Sequence, residues 1–175
     1  MQTMVTGGAL RFPLRFSLAK PKPNEAFAFL KRHFSPRSVF MDIGASSCDL
    51  ALLAASYVER AYAIDVSGQF LHSVAPPPNL RLVLCDGVRI PVPEASVDVA
   101  WSGQFLDQLH PDDQLEHLKS VRRSLVPGGI YFSRRRARFL DVGFSAVRCY
   151  AGSLRVPLSM ASLVPEGSLR FAAVR

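Results

Sequence analysis

Two carboxylates and one glycine pose the chemical question. Asp42 stands two residues before Gly44 in Val39-Phe40-Met41-Asp42-Ile43-Gly44-Ala45-Ser46-Ser47-Cys48-Asp49-Leu50, and Asp65 closes the run Ala61-Tyr62-Ala63-Ile64-Asp65. The second acid follows the turn by about 20 residues, the spacing at which a βαβ nucleotide site places the carboxylate that holds a ribose diol. Gly44 lets the backbone come close to a ligand. A dinucleotide loop would carry three glycines as GxGxxG. Here the turn reads Asp-x-Gly-x-Ser-x-Cys, with an acid ahead of its one glycine.

These residues need a buried strand, a tight turn and a helix start to hold them, and the chain supplies all three. The apolar run 39–43 reads as a strand, and Leu50-Ala51-Leu52-Leu53-Ala54-Ala55 as a helix packed against a sheet. Before them, Asn24 can cap a helix with apolar positions Phe27, Leu30 and Phe34, ended by Ser35-Pro36-Arg37. After Asp65, Ser67 can cap a short helix of Phe70, Leu71 and Val74 that Pro76-Pro77-Pro78 stops. Arg81–Cys85 and Val97–Ser102 read as the third and fourth strands. His110-Pro111-Asp112-Asp113 is a helix start with an early proline and acids in the first turn. Leu115, Leu118, Val121 and Leu125 form its inward face, Pro127-Gly128-Gly129 breaks it, and Ile130–Ser133 is the fifth strand. Alternation over Phe144–Tyr150 and Ser168–Val174 indicates two antiparallel closing strands. Strands alternating with helices and then a hairpin argue for an α/β fold with a mostly parallel sheet.

The 175 residues allow one domain with a continuous core. We expect a basic arm or substrate lid over 1–24 and a single domain over 25–175. The net charge of +7 sits at the two ends: residues 1–24 carry four basic side chains and no acid, and residues 134–175 carry eight arginines against Asp141 and Glu166. The body between them is mildly acidic. That pattern fits attraction to an anionic substrate and argues against nucleic acid, which would call for aromatics interleaved along a basic face. No apolar run approaches the roughly 18 residues that cross a bilayer. Cys48, Cys85 and Cys149 are odd in number and widely spaced, which fits a reducing, cytoplasmic setting and neither a disulfide framework nor a metal site.

From about residue 25 to Phe132 the order of motifs resembles the class I S-adenosylmethionine-dependent methyltransferases. The pieces are Asp42-Ile43-Gly44, Asp65-Val66-Ser67, Cys85-Asp86-Gly87, Val97-Asp98-Val99-Ala100 and Leu125-Val126-Pro127-Gly128-Gly129. Asp107-Gln108-Leu109-His110-Pro111-Asp112-Asp113 is similar to a Glu-His-Leu-His-Pro-Asp-Asp segment of small bacterial, type-11-like methyltransferases, with two positions changed. The resemblance implies a Rossmann-like, doubly wound sheet of seven strands with an antiparallel C-terminal hairpin. It also implies S-adenosyl-L-methionine as cofactor; the acceptor, which the resemblance does not name, we expect to be a small molecule or glycan-related.

On this resemblance Asp65 takes the ribose diol and Asp42 orients the loop and receives the cofactor ammonium. Gly44, Ala45 and Ser46 form the turn against the cofactor. Asp86, with the Gly87 amide, meets the adenine, whose faces Val66 and Val88 are candidates to cover. Ser102 and Gly103 offer backbone to the methionine moiety. The family usually has glycine where Ser46 and Cys48 stand. The turn is expected to be helical or extended there, because positive φ at either would cost on the order of 1–3 kcal/mol. His110, oriented by Asp107, is the candidate general base, against the alternative that the segment is simply a helix start. Tyr131, Arg134 and Arg135 are candidate anion-binding or acceptor residues.

Two other functions compete. A methyltransferase-like domain without catalysis would bind a partner, a reading favoured by the altered turn and a short C-terminal part. A nucleic-acid methyltransferase rests only on the basic ends, and Trp101-Ser102-Gly103-Gln104 stands where an Asn-Pro-Pro-Tyr-like motif would be. Only nine residues, 134–142, separate the fifth strand from Gly143. A crossover with its helix takes at least about 10–12 residues, so we expect the covering loop and most of a helix to be absent.

Overall fold

The computed structural model describes residues 25–69, 75–134, 137–151, 154–159 and 169–175. The arm over 1–24, the Asn24 cap, the helix of Phe70, Leu71 and Val74, and Arg135 lie outside the described residues. Eight strands form one sheet: β1 (Val39–Ile43), β2 (Arg60–Asp65), β3 (Leu80–Leu84), β4 (Val97–Ser102), β5 (Leu125–Ser133), β6 (Ala146–Ala151), β7 (Leu154–Val156) and β8 (Leu169–Val174). Their order is β3-β2-β1-β4-β5-β8-β6-β7, parallel from β3 to β5 and antiparallel beyond. The expected sheet therefore gains one strand. β7 is the short return of a hairpin with β6, pairing Cys149 with Val156, and β8 runs between β5 and β6.

Helices cover both faces. Helix α1 (Glu25–Leu30) and helix α2 (Asp49–Ala55) lie on one side, and helix α3 (Pro111–Ser124) lies on the other. Alternate strand residues feed the two sides, because successive side chains of a strand point to opposite faces. Phe40, Ala61, Ala63, Trp101 and Phe132 join the α1–α2 core, whereas Met41, Ile43, Ile64, Ala100 and Tyr131 join the α3 core. Asp42 and Asp65 fall in phase with Phe40 and Ala63, on the α2 side. Leu118 and Val121 of α3 are fully buried, worth about 1.5–3 kcal/mol each.

Helix α3 ends at Ser124 and β5 begins at once with Leu125, so Pro127-Gly128-Gly129 lies inside a strand instead of breaking the helix. The register shifts between Val97 and Val99 opposite that stretch. A Cβ on Gly129 would sit 2.9 Å from the Val126 carbonyl and 3.0 Å from that of Val97, so the irregular strand requires glycine there. Between β5 and β6, the described residues 137–145 contain a single 3-10 turn, Leu140–Val142, anchored by buried Phe139 and Phe144.

Candidate active site

Sheets of this order bind ligands where β1 has neighbours leading in opposite directions, at the carboxyl ends of the strands. A cavity of about 640 Å³ opens there, within the size range of small-molecule sites, roughly 300–1,000 Å³. Its wall draws on the ends of four strands: Asp42 and Gly44 to Ser47 at the end of β1, Asp65 to Ser67 at the end of β2, Trp101 and Gly103 to Phe105 around the end of β4, and Arg134 after β5.

Asp65 ties two of these ends together. One carboxylate oxygen accepts the Ser46 amide and the other the Ser67 amide, each at 2.9 Å. The Gly44 and Ala45 amides in turn donate to the Ile64 carbonyl at 2.8 and 3.0 Å. These bonds wind the turn into an unusual path. Gly44, Ser46 and Cys48 all have positive φ, at 75°, 47° and 62°. The expected helical or extended geometry at Ser46 and Cys48 is thus incorrect, and both residues hold the left-handed conformation that glycine adopts freely. The physical reason is the set of amides pointed at Ile64 and Asp65, which local preference at two residues does not outweigh. Gly44 is required on a second ground. A Cβ there would lie 3.0 Å from the Phe105 ring.

Asp42 is buried beneath the turn, and burial pushes its carboxyl up to about 7. The Ala51 amide, in the first turn of α2, opposes that rise, and the nearby Asp65 carboxylate adds to it. Cys48 begins α2 without a side-chain cap, so Asp42 supplies one of the acceptors that the orphan amides of a helix start need. Burial raises the Cys48 thiol to about 11, with Asp42, Asp65 and Asp49 contributing, so it is an inert filler rather than a nucleophile.

Other expected residues fall outside the cavity wall. Asp86 is exposed, and one of its oxygens accepts both the Val88 amide at 2.9 Å and the Arg89 amide at 2.6 Å. Those two bonds lower its pKa and make it a turn former. Gly87 is buried with φ of 89°, and a Cβ on it would meet Val66 at 3.4 Å and Leu109 at 3.5 Å. Val66 and Gly103 do line the cavity, whereas Ser102 is buried on the α3 side of β4, near Tyr131 and Ser133. Burial raises the Tyr131 phenol above its ordinary range, which makes it a core residue.

The pair of His110 and Asp107 is not brought together. His110 has a 70% exposed side chain, and its Nδ1 meets Asp112, at 3.4 Å from the amide and 3.5 Å from the carboxylate. It is the N-cap of α3 and lies outside the cavity wall. Arg134 lines the cavity, as do Gln104, Phe105 and Gln108, which were not singled out from sequence.

The sequence reading also passed over His117. It is fully buried, stacks obliquely on Phe105 at 5.2 Å, and its Nδ1 lies 2.9 Å from the Gly87 carbonyl. A carbonyl only accepts, so Nδ1 carries a proton. Burial depresses its pKa to about 4, against the smaller raising effects of the Gly87 bond and Asp86. The one signal was its position beside Leu118 in the inward stripe of α3.

A family model described as "Methyltransferase domain" matches residues 41–133. No curated protein matches the sequence. Among solved structures, a chain from the Haloferax volcanii complex between the Trm112 methyltransferase activator and a methyltransferase is 16% identical, with a TM-score of 0.67, covering 86% of this chain and 88% of that one. The [4+2]-cyclase SpnF is 15% identical with a TM-score of 0.60, covering 85% and 78%. Haemonchus contortus phosphoethanolamine N-methyltransferase 2, in complex with phosphomonomethylethanolamine and S-adenosylhomocysteine, is 17% identical with a TM-score of 0.60. That match covers 70% of this chain and 37% of the Haemonchus one.

Proposed function

The chain belongs to the methyltransferase domain family, and within it we propose an S-adenosylmethionine-dependent methyltransferase acting on a small-molecule or glycan-related acceptor. The observation that carries this reading is Asp65: a carboxylate 9% exposed, on the wall of the cavity at the end of β2, steadied by one amide on each oxygen. A carboxylate oxygen accepts more than one hydrogen bond, so both remain able to receive ribose hydroxyls.

The rest of the wall suits the same cofactor. Asp42, held near neutrality by burial, gains from a positive group brought beside it, and the cofactor's ammonium is such a group. Gly44, pressed against Phe105, keeps the turn free of a side chain where a ligand must pass. Val66 gives an apolar face beside Gly87 for a planar base. Bound there, S-adenosylmethionine would supply a methyl group on a positively charged sulfur. The protein's task is then to hold the acceptor in line with that group, which is chiefly a matter of position. His110 is not assigned as a base in this reading, since its ring is engaged as a helix cap. An acceptor already ionised, or one that loses its proton to water, fits the cavity wall better.

The non-catalytic alternative keeps one observation in its favour. Only a 3-10 turn is described between β5 and β6, so among the described residues no helix from this segment covers the acceptor side. Against it stands the turn itself, which retains a glycine-like path at Ser46 and Cys48 despite their side chains. Calorimetry with S-adenosylhomocysteine separates the two. Saturable binding that Asp65→Ala abolishes supports the enzyme; absence of heat with the wild-type chain defeats it.

A further inference from the structure

Helix α3 reaches the loop that follows β3 at two points. Nδ1 of His117 donates to the Gly87 carbonyl at 2.9 Å, and Oγ of Ser120 accepts the Ile90 amide at 2.8 Å. Residues three apart on a helix are surface neighbours, so one patch of α3 holds both ends of this short loop. Between those ends, Asp86 accepts the Val88 and Arg89 amides. Among the described residues no other donor reaches the Gly87 carbonyl.

The same histidine has a second contact. Its ring packs on Phe105 at 5.2 Å, and Phe105 in turn presses on the turn after β1, where a Cβ on Gly44 would lie 3.0 Å from it. A Cβ on Gly87 would meet Val66 at 3.4 Å, Leu109 at 3.5 Å and Phe105 at 3.9 Å, so the loop, Val66 and Phe105 pack in one cluster. Val66 and Phe105 line the cavity, and His117 stands behind them.

Histidine is a costly choice for that place. Leu118 and Val121, its neighbours in the inward stripe, are apolar and fully buried. The imidazole is fully buried too, and its Nε2 has no hydrogen-bond partner among the described residues. A buried polar atom left unmet costs at least as much as one ordinary hydrogen bond returns. The exchange gains little stability. What the histidine adds is direction, a donor aimed at one carbonyl and a flat ring against one phenylalanine.

We propose that His117 is a positioning residue for the cavity: it holds the Gly87 loop and the Phe105 ring against each other, and so fixes the apolar wall on which a planar base would rest. The proposal rests on the methyltransferase reading for the ligand, and on the contacts of His117 alone for the wall.

Two variants separate the contacts. His117→Phe keeps a ring beside Phe105 and deletes the donor. His117→Asn keeps a donor bonded to Cγ, where Nδ1 stands, and deletes the ring. Leu118→Ala, a core truncation on the same helix, controls for lost stability. Amide hydrogen exchange of the ligand-free full chain is followed over residues 86–90 and 103–109, where it reports local opening. His117→Phe should speed exchange over 86–90 by about tenfold, the worth of one hydrogen bond, and leave 103–109 unchanged. His117→Asn should do the reverse. By calorimetry, where the proteins are folded, both should bind S-adenosylhomocysteine about tenfold more weakly, and Leu118→Ala should stay within about threefold of the wild type. One exchange pattern shared by both His117 variants, or an affinity loss that Leu118→Ala matches, overturns the positioning role. Should His117→Phe fail to fold, His117→Asn decides alone, and wild-type exchange over 103–109 in that variant overturns the proposal. A wild-type chain that binds no S-adenosylhomocysteine defeats the methyltransferase reading, while the exchange pattern still decides what His117 holds.

Discussion

Oδ2 of Asp65 accepts the backbone amide of Ser46 at 2.9 Å, so the acid that ends β2 also shapes the turn that follows β1. One carboxylate thus joins ligand chemistry to loop geometry, and its loss affects both. Asp65→Ala removes two hydrogen bonds to a charged acceptor, worth about 1.5–3 kcal/mol each. We expect S-adenosylhomocysteine affinity to fall by about 100-fold or more, the equivalent of one to two such bonds. Calorimetry on a variant with native circular dichroism checks it; unchanged affinity moves the ligand site elsewhere.

The left-handed conformation of Ser46 makes a sterically graded series. At φ of 47° a β-branched side chain is a true outlier, whereas glycine is at ease. Ser46→Val should lower stability by about 2 kcal/mol, within the cost of such strain. Ser46→Gly should match or exceed the wild type. Thermal melts of the three proteins give the order, and a Val variant as stable as the parent would refute the strained turn.

Acid stability should report on His117. Its folded pKa of about 4 lies below the ordinary 6.5, so below 6.5 the unfolded chain binds the proton that the folded one refuses. The contribution is fully present above pH 6.5 and is lost as pH falls toward 4. His117→Gln does not titrate, so the same fall in pH should cost it less stability. Urea midpoints across that range test the difference between the two proteins.

Asp42 has the opposite sign. Its folded pKa of about 7 lies above the ordinary 3.8, so its contribution is present below 3.8 and is lost as pH rises through about 7. Asp42→Asn should flatten that decline. A bound ammonium favours the ionised carboxyl, so S-adenosylhomocysteine binding should release a proton and strengthen as pH rises through 7. Binding heats in buffers of different ionisation enthalpy detect the proton; no buffer dependence near neutrality would remove Asp42 from the ligand's surroundings.

His110→Ala distinguishes a helix cap from a base. As the cap of α3, its removal should cost about 0.5–2 kcal/mol of stability. Turnover, once an acceptor is found, should survive at temperatures where the variant is folded. A variant of wild-type stability with collapsed turnover would restore the catalytic role.

Much of the scaffold was legible in the amino-acid order. The apolar runs of β1, β2 and β4 and the inward stripe of α3 declare themselves by period, because burial on a strand or helix face repeats every two or 3.6 residues. Asp42, Gly44 and Asp65 were legible for a related reason: a βαβ unit fixes the number of residues between the turn and the second strand end. What the sequence left open depends on partners far along the chain. Ser46 takes its left-handed path because Asp65, 19 residues later, accepts its amide. His117 is neutral because a dry core closes over it, and its Nδ1 proton is placed by the carbonyl of Gly87, 30 residues earlier. The partner of His110 turned out to be Asp112 rather than Asp107, a matter of where one ring points. His117 and Phe105 became neighbours only when α3 settled on its face of the sheet. Period and spacing are local properties of a chain, whereas conformational strain, protonation and charge pairing follow from contacts that exist only after the sheet has formed.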